Sequence, residues 1–153
     1  MVVVDRFAKM AHFIGLGTNA TTKDVADSFL KDVWKLDGLP YEIVLDMDAR
    51  FPGEGWQSLC KALGIKRRIP TAYHPQTDGQ TKRINQLLQG YLCTFVDYGQ
   101  DHWYQLIPLA EHGYNNSKAS AHELTPFFGN HSFHPKTEWT KEREAKTQEP
   151  QCI

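Results

Sequence analysis

The sequence predicts a layered α/β domain with at least one parallel crossover. Short β-branched runs alternate with amphipathic stretches in the order strand, strand, helix, strand, helix, strand, helix, helix, and this alternation is typical of strands joined through helices. The chain has 153 residues, of which 41% are hydrophobic. That is enough for one domain with a sizeable core.

The first three elements are predicted to be two strands and a helix. Residues 2–4 are a valine run of the kind found in buried strands, and residues 11–16 form a second candidate. A helix follows over residues 21–36. Thr21 and Asp24 have the spacing of a capping box with Asp in the position of Glu. The apolar residues of this helix recur at helical spacing at Ala26, Phe29, Leu30 and Val33.

The middle of the chain is predicted to contain strand, helix and strand. Residues 42–45 form a strand that ends at Asp46. The following helix has its apolar stripe at Trp56, Leu59, Cys60 and Leu63. Gly64 is expected to cap this helix, and residues 65–69 form a strand that carries the basic triplet at 66–68.

Two helices are predicted in the second half. The first follows the polar stretch YHPQTDGQTKRINQ at residues 73–86, with Lys82 in its first turn, and the second contains Trp103 and Ala110. Residues 115–121 are predicted to be a polar loop, and residues 124–129 an apolar turn or short helix. The long stripe of the first helix comprises Ile84, Leu87, Leu88, Tyr91, Leu92, Phe95 and Val96.

The composition limits the classes of function. Seventeen basic and eighteen acidic residues give a formal charge of −1, so any contact with DNA must come from local patches such as 66–68 and 82–83. From the charge alone, it is equally possible that these two patches are solvated surfaces that contact no DNA. Cys60 and Cys93 are predicted to be buried thiols, and no spacing indicates zinc. No apolar run is long enough to span a bilayer, and an intracellular compartment is expected.

Asp46 is a candidate metal ligand because it follows a strand at the edge where open α/β sheets place their sites. Carboxylates there could hold two Mg²⁺ ions that act on a phosphodiester. From the local sequence alone, the simpler interpretation is that Asp46 and Asp48 are turn residues.

Four segments resemble the integrase core of gypsy-type long-terminal-repeat retrotransposons. They are VVVDRFAKMAHFI, LGIKRRIPTAYHPQTDGQTKRINQ, PLAEHGYNNS and LTPFFGNHSFHP, of which AYHPQTDGQT is highly specific. The resemblance covers residues 2–135 and implies a ribonuclease-H-like mixed sheet flanked by helices. It also implies an Asp, Asp and Glu site that binds Mg²⁺ or Mn²⁺ and joins DNA ends to target DNA. Residues 1–135 are then a partial integrase core, and the charged tail 136–153 is expected to fray.

The resemblance also implies that the catalytic site is degenerate. The second catalytic Asp of the family falls on Asp46, and the family separation of thirty-five residues places the glutamate at position 82, which is Lys82. The first catalytic Asp belongs to a central strand that precedes VVVDRF and is expected to be missing, which would leave two strand edges unpaired. Asp5 is predicted to be a structural acid at the end of a strand.

Residual DNA contacts are predicted around the start of the long helix. The resemblance places Tyr73, Gln76, Asp78 and Asn85 beside DNA ends, and Lys82 and Arg83 could contact phosphate. A helix N-terminus beside Lys82 would favour an anion further. The alternative is that His74-Pro75-Gln76 only shapes a loop.

Three functions remain open from the sequence. The first is a truncated, inactive integrase core in the nucleus that binds DNA weakly. The second is an active core, if an upstream segment and a glutamate were supplied. The third is a co-opted module that forms homo-oligomers or binds proteins through helix faces such as 103–110, and none of the three involves a membrane.

Overall fold

The computed structural model describes residues 1–45, 53–68, 76–95, 102–118 and 123–136, and for residues 76–80 and 95 it describes the backbone only. In chain order the elements are β1 (Val2–Val4), β2 (Ala11–Phe13), α1 (Thr22–Phe29), α2 (Lys35–Asp37), β3 (Glu42–Val44), α3 (Glu54–Ala62), β4 (Lys66–Arg68), α4 (Gln76–Phe95), α5 (Trp103–Asn116) and α6 (Pro126–His131). A π-helical segment at Leu30–Trp34 joins α1 to α2.

The described strands form two sheets of two strands each. β1 and β2 are antiparallel, with Val3 opposite His12, whereas β3 and β4 are parallel, with Ile43 opposite Arg67. Since α3 lies between β3 and β4 in the chain, the predicted parallel crossover is confirmed. β1 has its predicted bounds, whereas β2, β3 and β4 are each only three residues long and shorter than predicted.

One core cluster lies beneath both sheets. Its buried residues are Ile14, Val25, Phe29, Val33, Leu45, Trp56, Cys60 and Ile65. The rings of Phe29 on α1 and Trp56 on α3 meet edge to face, with centroids 5.4 Å apart. Val3 at the centre of β1 and Ile43 at the centre of β3 both pack against this cluster. The two sheets therefore rest on one helical layer.

A second core cluster covers the opposite face of the first sheet. Its buried residues are Ala11, Phe13, Ile84, Ile107 and Ala110, and Val2 and Val4 pack against them. Because successive side chains of a strand point to opposite faces, β1 contributes Val3 to one cluster and its two neighbours to the other. The arrangement is a three-layer α/β/α domain, which confirms the predicted class.

The ends of α1 and α3 follow the sequence signals. At the start of α1, the Thr21 hydroxyl accepts from the Asp24 amide at 3.3 Å, and Asp24 Oδ2 accepts from the Thr21 amide at 2.7 Å, so the predicted capping box is confirmed. After α3, Gly64 has a φ of +70°. The Ile65 amide then donates to the Cys60 carbonyl at 2.8 Å, as in a Schellman motif.

The outer edge of β2 is paired with side chains of α5 instead of a strand. Asn115 Oδ1 accepts from the Ala11 amide at 2.9 Å, and Asn115 Nδ2 donates to the Ala11 carbonyl at 2.9 Å. Glu111 Oε2 accepts from the Phe13 amide at 2.7 Å. Because Asn115 is only 3% exposed, these bonds satisfy backbone groups that water does not reach.

The predictions for the loop at residue 115 and for Cys93 are wrong. The polar loop predicted from residue 115 begins later, because α5 continues to Asn116 and Asn115 is held in the helix by its bonds to β2. Cys93 is exposed, whereas Cys60 is buried as predicted. Cys93 lies on the side of α4 opposite the buried Ile84, since nine residues correspond to about two and a half helical turns. The tail predicted to fray lies outside the described residues.

We expect Asn115→Leu to lower the free energy of unfolding by about 2–4 kcal/mol, because it leaves a buried amide and a buried carbonyl of Ala11 without partners. The measurement is urea unfolding monitored by circular dichroism. Asn116→Leu is the matched control, since Asn116 is only partly buried and its amide donates within its own helix, to the His112 carbonyl, and it should change the value by less than about 1 kcal/mol. Equal effects of the two substitutions would contradict the role of Asn115.

Candidate nucleic-acid interface

One face of α4 is buried against the second core cluster. Ile84 is 3% exposed, and Leu88 and Tyr91 are partly buried against the same cluster. These three residues have the i, i+4, i+7 spacing of a single helical stripe. The predicted amphipathic helix is therefore confirmed, and its other face points away from the core.

Three of the residues predicted to contact DNA lie outside the buried stripe of α4. Lys82, Arg83 and Asn85 are all exposed. At about 100° per residue, Lys82 lies about 160° around the helix axis from Ile84, and Arg83 and Asn85 lie on either flank. Two cations and an amide within four residues can bind phosphate oxygens through charge and hydrogen bonds.

The prediction that Lys82 lies in the first helical turn is wrong. α4 begins at Gln76, six residues earlier, and only the first four amides of a helix lack intrahelical partners. Gln76 and Asp78 precede Lys82 within α4. The turn-forming residues at 77–79 are helical because the long apolar stripe after them stabilises the helix as a whole. The first-turn amides and Lys82 therefore do not share one turn.

The remaining predicted site residues lie outside the described part of the chain. Asp46 and Tyr73 are among them, as are the side chains of Gln76 and Asp78. The approach to Asp46 is described: Leu45 is buried, and its amide donates to the Arg68 carbonyl at 3.1 Å. Leu45 directly follows β3, whereas Asp46 itself lies outside the described residues.

The described residues do not fit a divalent-metal site. Within the described ranges, no three His, Cys, Asp or Glu side chains come close enough together to hold a metal ion. Lys82 brings an ammonium group to the position where the resemblance requires a carboxylate, and Mg²⁺ prefers oxygen ligands. No reaction step through a metal follows from these residues.

Asp5 has a structural role at the end of β1. Its Oδ2 accepts hydrogen bonds from the Phe7 amide at 3.0 Å and from the Ala8 amide. Such a side-chain-to-backbone bond closes a turn after a strand. This is the strand-end role that the sequence predicts.

A histidine network joins three elements and was missed by the sequence-based predictions. His12 on β2 has a side chain only 8% exposed. Its Nε2 lies 2.5 Å from Asp37 Oδ2, and its Nδ1 lies 3.2 Å from Glu111 Oε1. Because the three residues are far apart in the sequence, no short motif indicates the network.

The two carboxylates favour the charged form of His12. The hydrogen bond with Glu111 raises the pKa of His12 above its ordinary 6.5, burial opposes this, and the hydrogen bond with Asp37 and the charges of both acids raise the pKa further. A protonated imidazole donates through both nitrogens. It can therefore hold α2 and α5 against β2 at the same time.

The overall fold matches solved integrase structures. A chain of the simian T-cell lymphotropic virus intasome, solved in complex with PP2A regulatory subunit B56 gamma, aligns over 90% of this chain and 51% of its own, with a TM-score of 0.74 and 21% identity. The HTLV-2 integrase catalytic core domain in complex with magnesium aligns over 85% and 82%, with a TM-score of 0.69 and 20% identity. The chain therefore has the ribonuclease-H-like fold of integrase catalytic cores.

The sequence relatives are transposon polyproteins. The Tf2-3 and Tf2-4 polyproteins of Schizosaccharomyces pombe are each 34% identical to the chain over 134 residues, which is 88% of this chain. The chain spans only 10% of the length of these polyproteins. No protein-family model matches. Fold and relatives together confirm the predicted resemblance to the integrase core of a long-terminal-repeat retrotransposon.

No helix in the described residues is long and apolar enough to cross a bilayer. The longest, α4, has only one apolar stripe and carries Lys82 and Arg83 on its other sides.

We expect the contribution of His12 to stability to decrease at alkaline pH. Its pKa in the folded state lies above the 6.5 of the unfolded chain. The stabilisation is therefore fully present below pH 6.5 and is lost as the pH rises through the folded-state pKa. The free energy of unfolding is measured with urea at several values between about pH 5.5 and 8.5. The wild type should exceed His12→Gln at low pH, and this difference should decrease as the pH rises.

The matched control for this experiment is His112→Gln, because His112 is exposed on α5. The difference in the free energy of unfolding between this variant and the wild type should stay nearly constant over the same pH range. A His12→Gln difference that is independent of pH would show that His12 is held in its neutral form.

Proposed function

We propose that the chain has a role related to DNA integration, as an integrase core that binds nucleic acid but does not join DNA strands. One observation carries this proposal: Lys82, which takes the position of the family's catalytic glutamate, is exposed on α4 next to Arg83. A positive charge at this position disfavours a divalent cation and favours a phosphate.

The binding mode follows from the polar side of α4. Lys82 and Arg83 supply charge, and Asn85 supplies a donor and an acceptor. Gln86 and Gln89 are exposed on the same side as Lys82, at the i+4 and i+7 positions. These groups contact the sugar-phosphate backbone without reading base sequence. Because the chain as a whole has a charge of −1, we expect this binding to be weak.

The chemistry of the family explains the proposed loss of strand transfer. Two metal ions that activate a hydroxyl and stabilise a leaving oxygen need several carboxylates. By the resemblance, residues 1–153 provide Asp46 with a charge of −1 and Lys82 with a charge of +1, so the local charge is zero. Lys82 then pairs with Asp46 or with phosphate. We also propose that the chain acts in the nucleus.

A second candidate function is a protein-interaction module. Three large apolar side chains of α5 are exposed, namely Trp103 at 39%, Tyr104 at 56% and Leu109 at 58%, and exposed aromatic residues are frequent at protein interfaces. The HTLV-2 integrase core has been solved in dimeric and trimeric forms. Self-association through α5 is compatible with DNA binding through α4, because the two faces use different residues.

We expect the chain to bind duplex DNA with a dissociation constant on the order of micromolar or weaker, and to lose affinity steeply between 50 and 200 mM salt, roughly as for other non-specific phosphate contacts. Fluorescence anisotropy of a labelled duplex measures this. Lys82→Ala/Arg83→Ala should weaken binding and lower the salt slope by about two.

Lys23→Ala/Lys31→Ala removes the same charge from exposed positions before β3 and is the matched control. It should leave the salt slope nearly unchanged. An affinity that does not depend on salt, or equal losses for the two double variants, would contradict phosphate binding by α4.

We expect no strand-transfer product from purified residues 1–153 with Mg²⁺ or Mn²⁺, because Lys82 puts a positive charge where the resemblance requires a carboxylate. We expect none from Lys82→Glu either, since residues 1–153 would then offer two of the three carboxylates that the resemblance requires. The assay follows joining of a labelled DNA end, with an active integrase as the positive control. Product from the unaltered chain would disprove the proposed inactivity. Product from Lys82→Glu alone would show that the other carboxylates are already in place.

A further inference from the structure

Five aromatic rings lie together in and directly after α6. Phe127 and Phe133 meet edge to face, with ring centroids 5.4 Å apart, and His131 contacts both of these rings. The imidazole of His134 stacks on the ring of Phe128, with centroids 4.7 Å apart and an angle of 24° between the planes. Both histidines are exposed, and Phe133 is 57% exposed. We call these five residues the α6 aromatic surface.

The exposed rings of this surface are held in place by their neighbours. Phe127, which supports the ring of Phe133, is partly buried, and so is Phe128, which supports the ring of His134. An edge-to-face or stacked contact restricts the rotation of the outer ring. A side chain that is already ordered loses less conformational entropy when a ligand binds. Phe133 and His134 are therefore suited to bind a flat partner.

The turn between β1 and β2 lies directly against α6. A β-carbon at Gly129 would lie 3.5 Å from the β-carbon of Ala8, so the two segments are in contact. The turn comprises residues 5–9, with the sequence DRFAK. Phe7 in this turn is 89% exposed, and Arg6 is also exposed. The turn therefore adds a further ring and a cation next to α6.

The turn and the α6 segment together carry a positive charge. Residues 5–9 and 126–136 contain three cations and one acid, namely Arg6, Lys9, Lys136 and Asp5. With the histidines counted as neutral, the net charge is therefore +2. The single carboxylate, that of Asp5, accepts hydrogen bonds from two amides of its own turn. Rings and cations thus alternate along both segments.

The exposed aromatic residues of α5 have a different setting. Trp103 and Tyr104 belong to residues 102–109, HWYQLIPL, which include no Lys, Arg, Asp or Glu. An aromatic surface without charge suits a protein partner. Rings that alternate with cations suit a polyanion that also has flat apolar groups, which is the chemistry of nucleic acid.

We propose that the α6 aromatic surface and the turn at residues 5–9 bind single-stranded nucleic acid. Phe133 and His134 stack on unpaired bases, and the cations contact phosphates. In a duplex each base face is covered by the next base, so the rings distinguish an unpaired strand from a duplex. Because every base has a π face, this binding does not depend on sequence. The site uses no residue of α4 and does not rest on phosphate binding there.

The test uses the whole chain and a fluorescein-labelled oligothymidine of about twelve nucleotides. We expect saturable binding by fluorescence anisotropy, with a dissociation constant on the order of micromolar. An abasic oligomer of the same length keeps the phosphates but has no bases to stack. It should bind at least about tenfold more weakly, because each stacked base contributes roughly five- to 150-fold in affinity.

A pair of variants tests the stacking from the protein side. Phe133→Leu keeps an apolar contact with Phe127 but removes the exposed π face. It should weaken oligothymidine binding by about fivefold or more and leave binding of a blunt duplex within about twofold. Tyr104→Leu is the matched control, because Tyr104 is exposed to nearly the same extent, 56%. It should change oligothymidine affinity by less than about twofold, with circular dichroism confirming that both variants fold.

The cations are tested through the salt dependence of binding. Arg6→Ala/Lys136→Ala should lower the salt slope for oligothymidine by about 1.4, since each phosphate contact on a single strand contributes about 0.7. Lys23→Ala/Lys31→Ala is again the control. In Lys82→Ala/Arg83→Ala, the difference in affinity between oligothymidine and the abasic oligomer should persist. This last comparison separates the α6 aromatic surface from α4, whichever of the two proposals fails.

Equal binding of oligothymidine and the abasic oligomer would overturn the proposal, because it would show attraction by charge alone. Absence of oligothymidine binding would overturn it too, as would equal effects of Phe133→Leu and Tyr104→Leu. Self-association that Phe133→Leu abolishes and oligothymidine fails to reverse in sedimentation experiments would identify a second copy of the chain as the occupant. If Phe133→Leu does not fold, the abasic oligomer on the unaltered chain decides.

Discussion

Buried edges of strands need hydrogen-bond partners, and the structure depends on how this constraint is met. The outer edge of β2 lies under α5, where water cannot reach it, and Asn115 and Glu111 replace a neighbouring strand. This pairing fixes the rotation of α5 about its axis. The same rotation presents Ile107 and Ala110 to the second core cluster, against which α4 packs. The amide of Asn115 holds α5 against β2, and α4 packs on the cluster that α5 helps to form. The orientation of α4, and with it the exposure of Lys82, therefore depends on this pairing.

The elements of the fold could be predicted from the sequence, because local periodicity and capping determine them. The valine run, the Thr21 box and Gly64 each act within a few residues, and each is found where the pattern places it. The partners of β2 could not be predicted in this way. Asn115 resembles a loop residue in sequence, and only its distance from Ala11 in space explains why it is helical and buried. His12 was passed over for the same reason, since its partners lie 25 and 99 residues away.

The candidate site could be predicted only in part. The family motif located Lys82, Arg83 and Asn85, and their exposure on α4 agrees with a surface that meets a large partner. The start of α4 could not be predicted, because turn-forming residues such as Asp78 and Gly79 do not prevent a helix that a long apolar stripe stabilises. A lysine can thus stand at position 82 without changing the fold that holds it. The integrase-core fold is independent of the charge at position 82 because that side chain is outside both core clusters.

The π-helical segment at Leu30–Trp34 has a consequence for how the sequence can vary in length. Such a turn accommodates one residue more than a regular α-helix, so every residue after it is rotated by about 100° relative to an uninterrupted helix. Asp37 lies beyond the segment and reaches His12 in this rotated position. Deletion of one residue there would restore a regular helix and turn the carboxylate away from the imidazole. Residues 30–34 therefore tolerate exchange of their exposed side chains better than insertions or deletions.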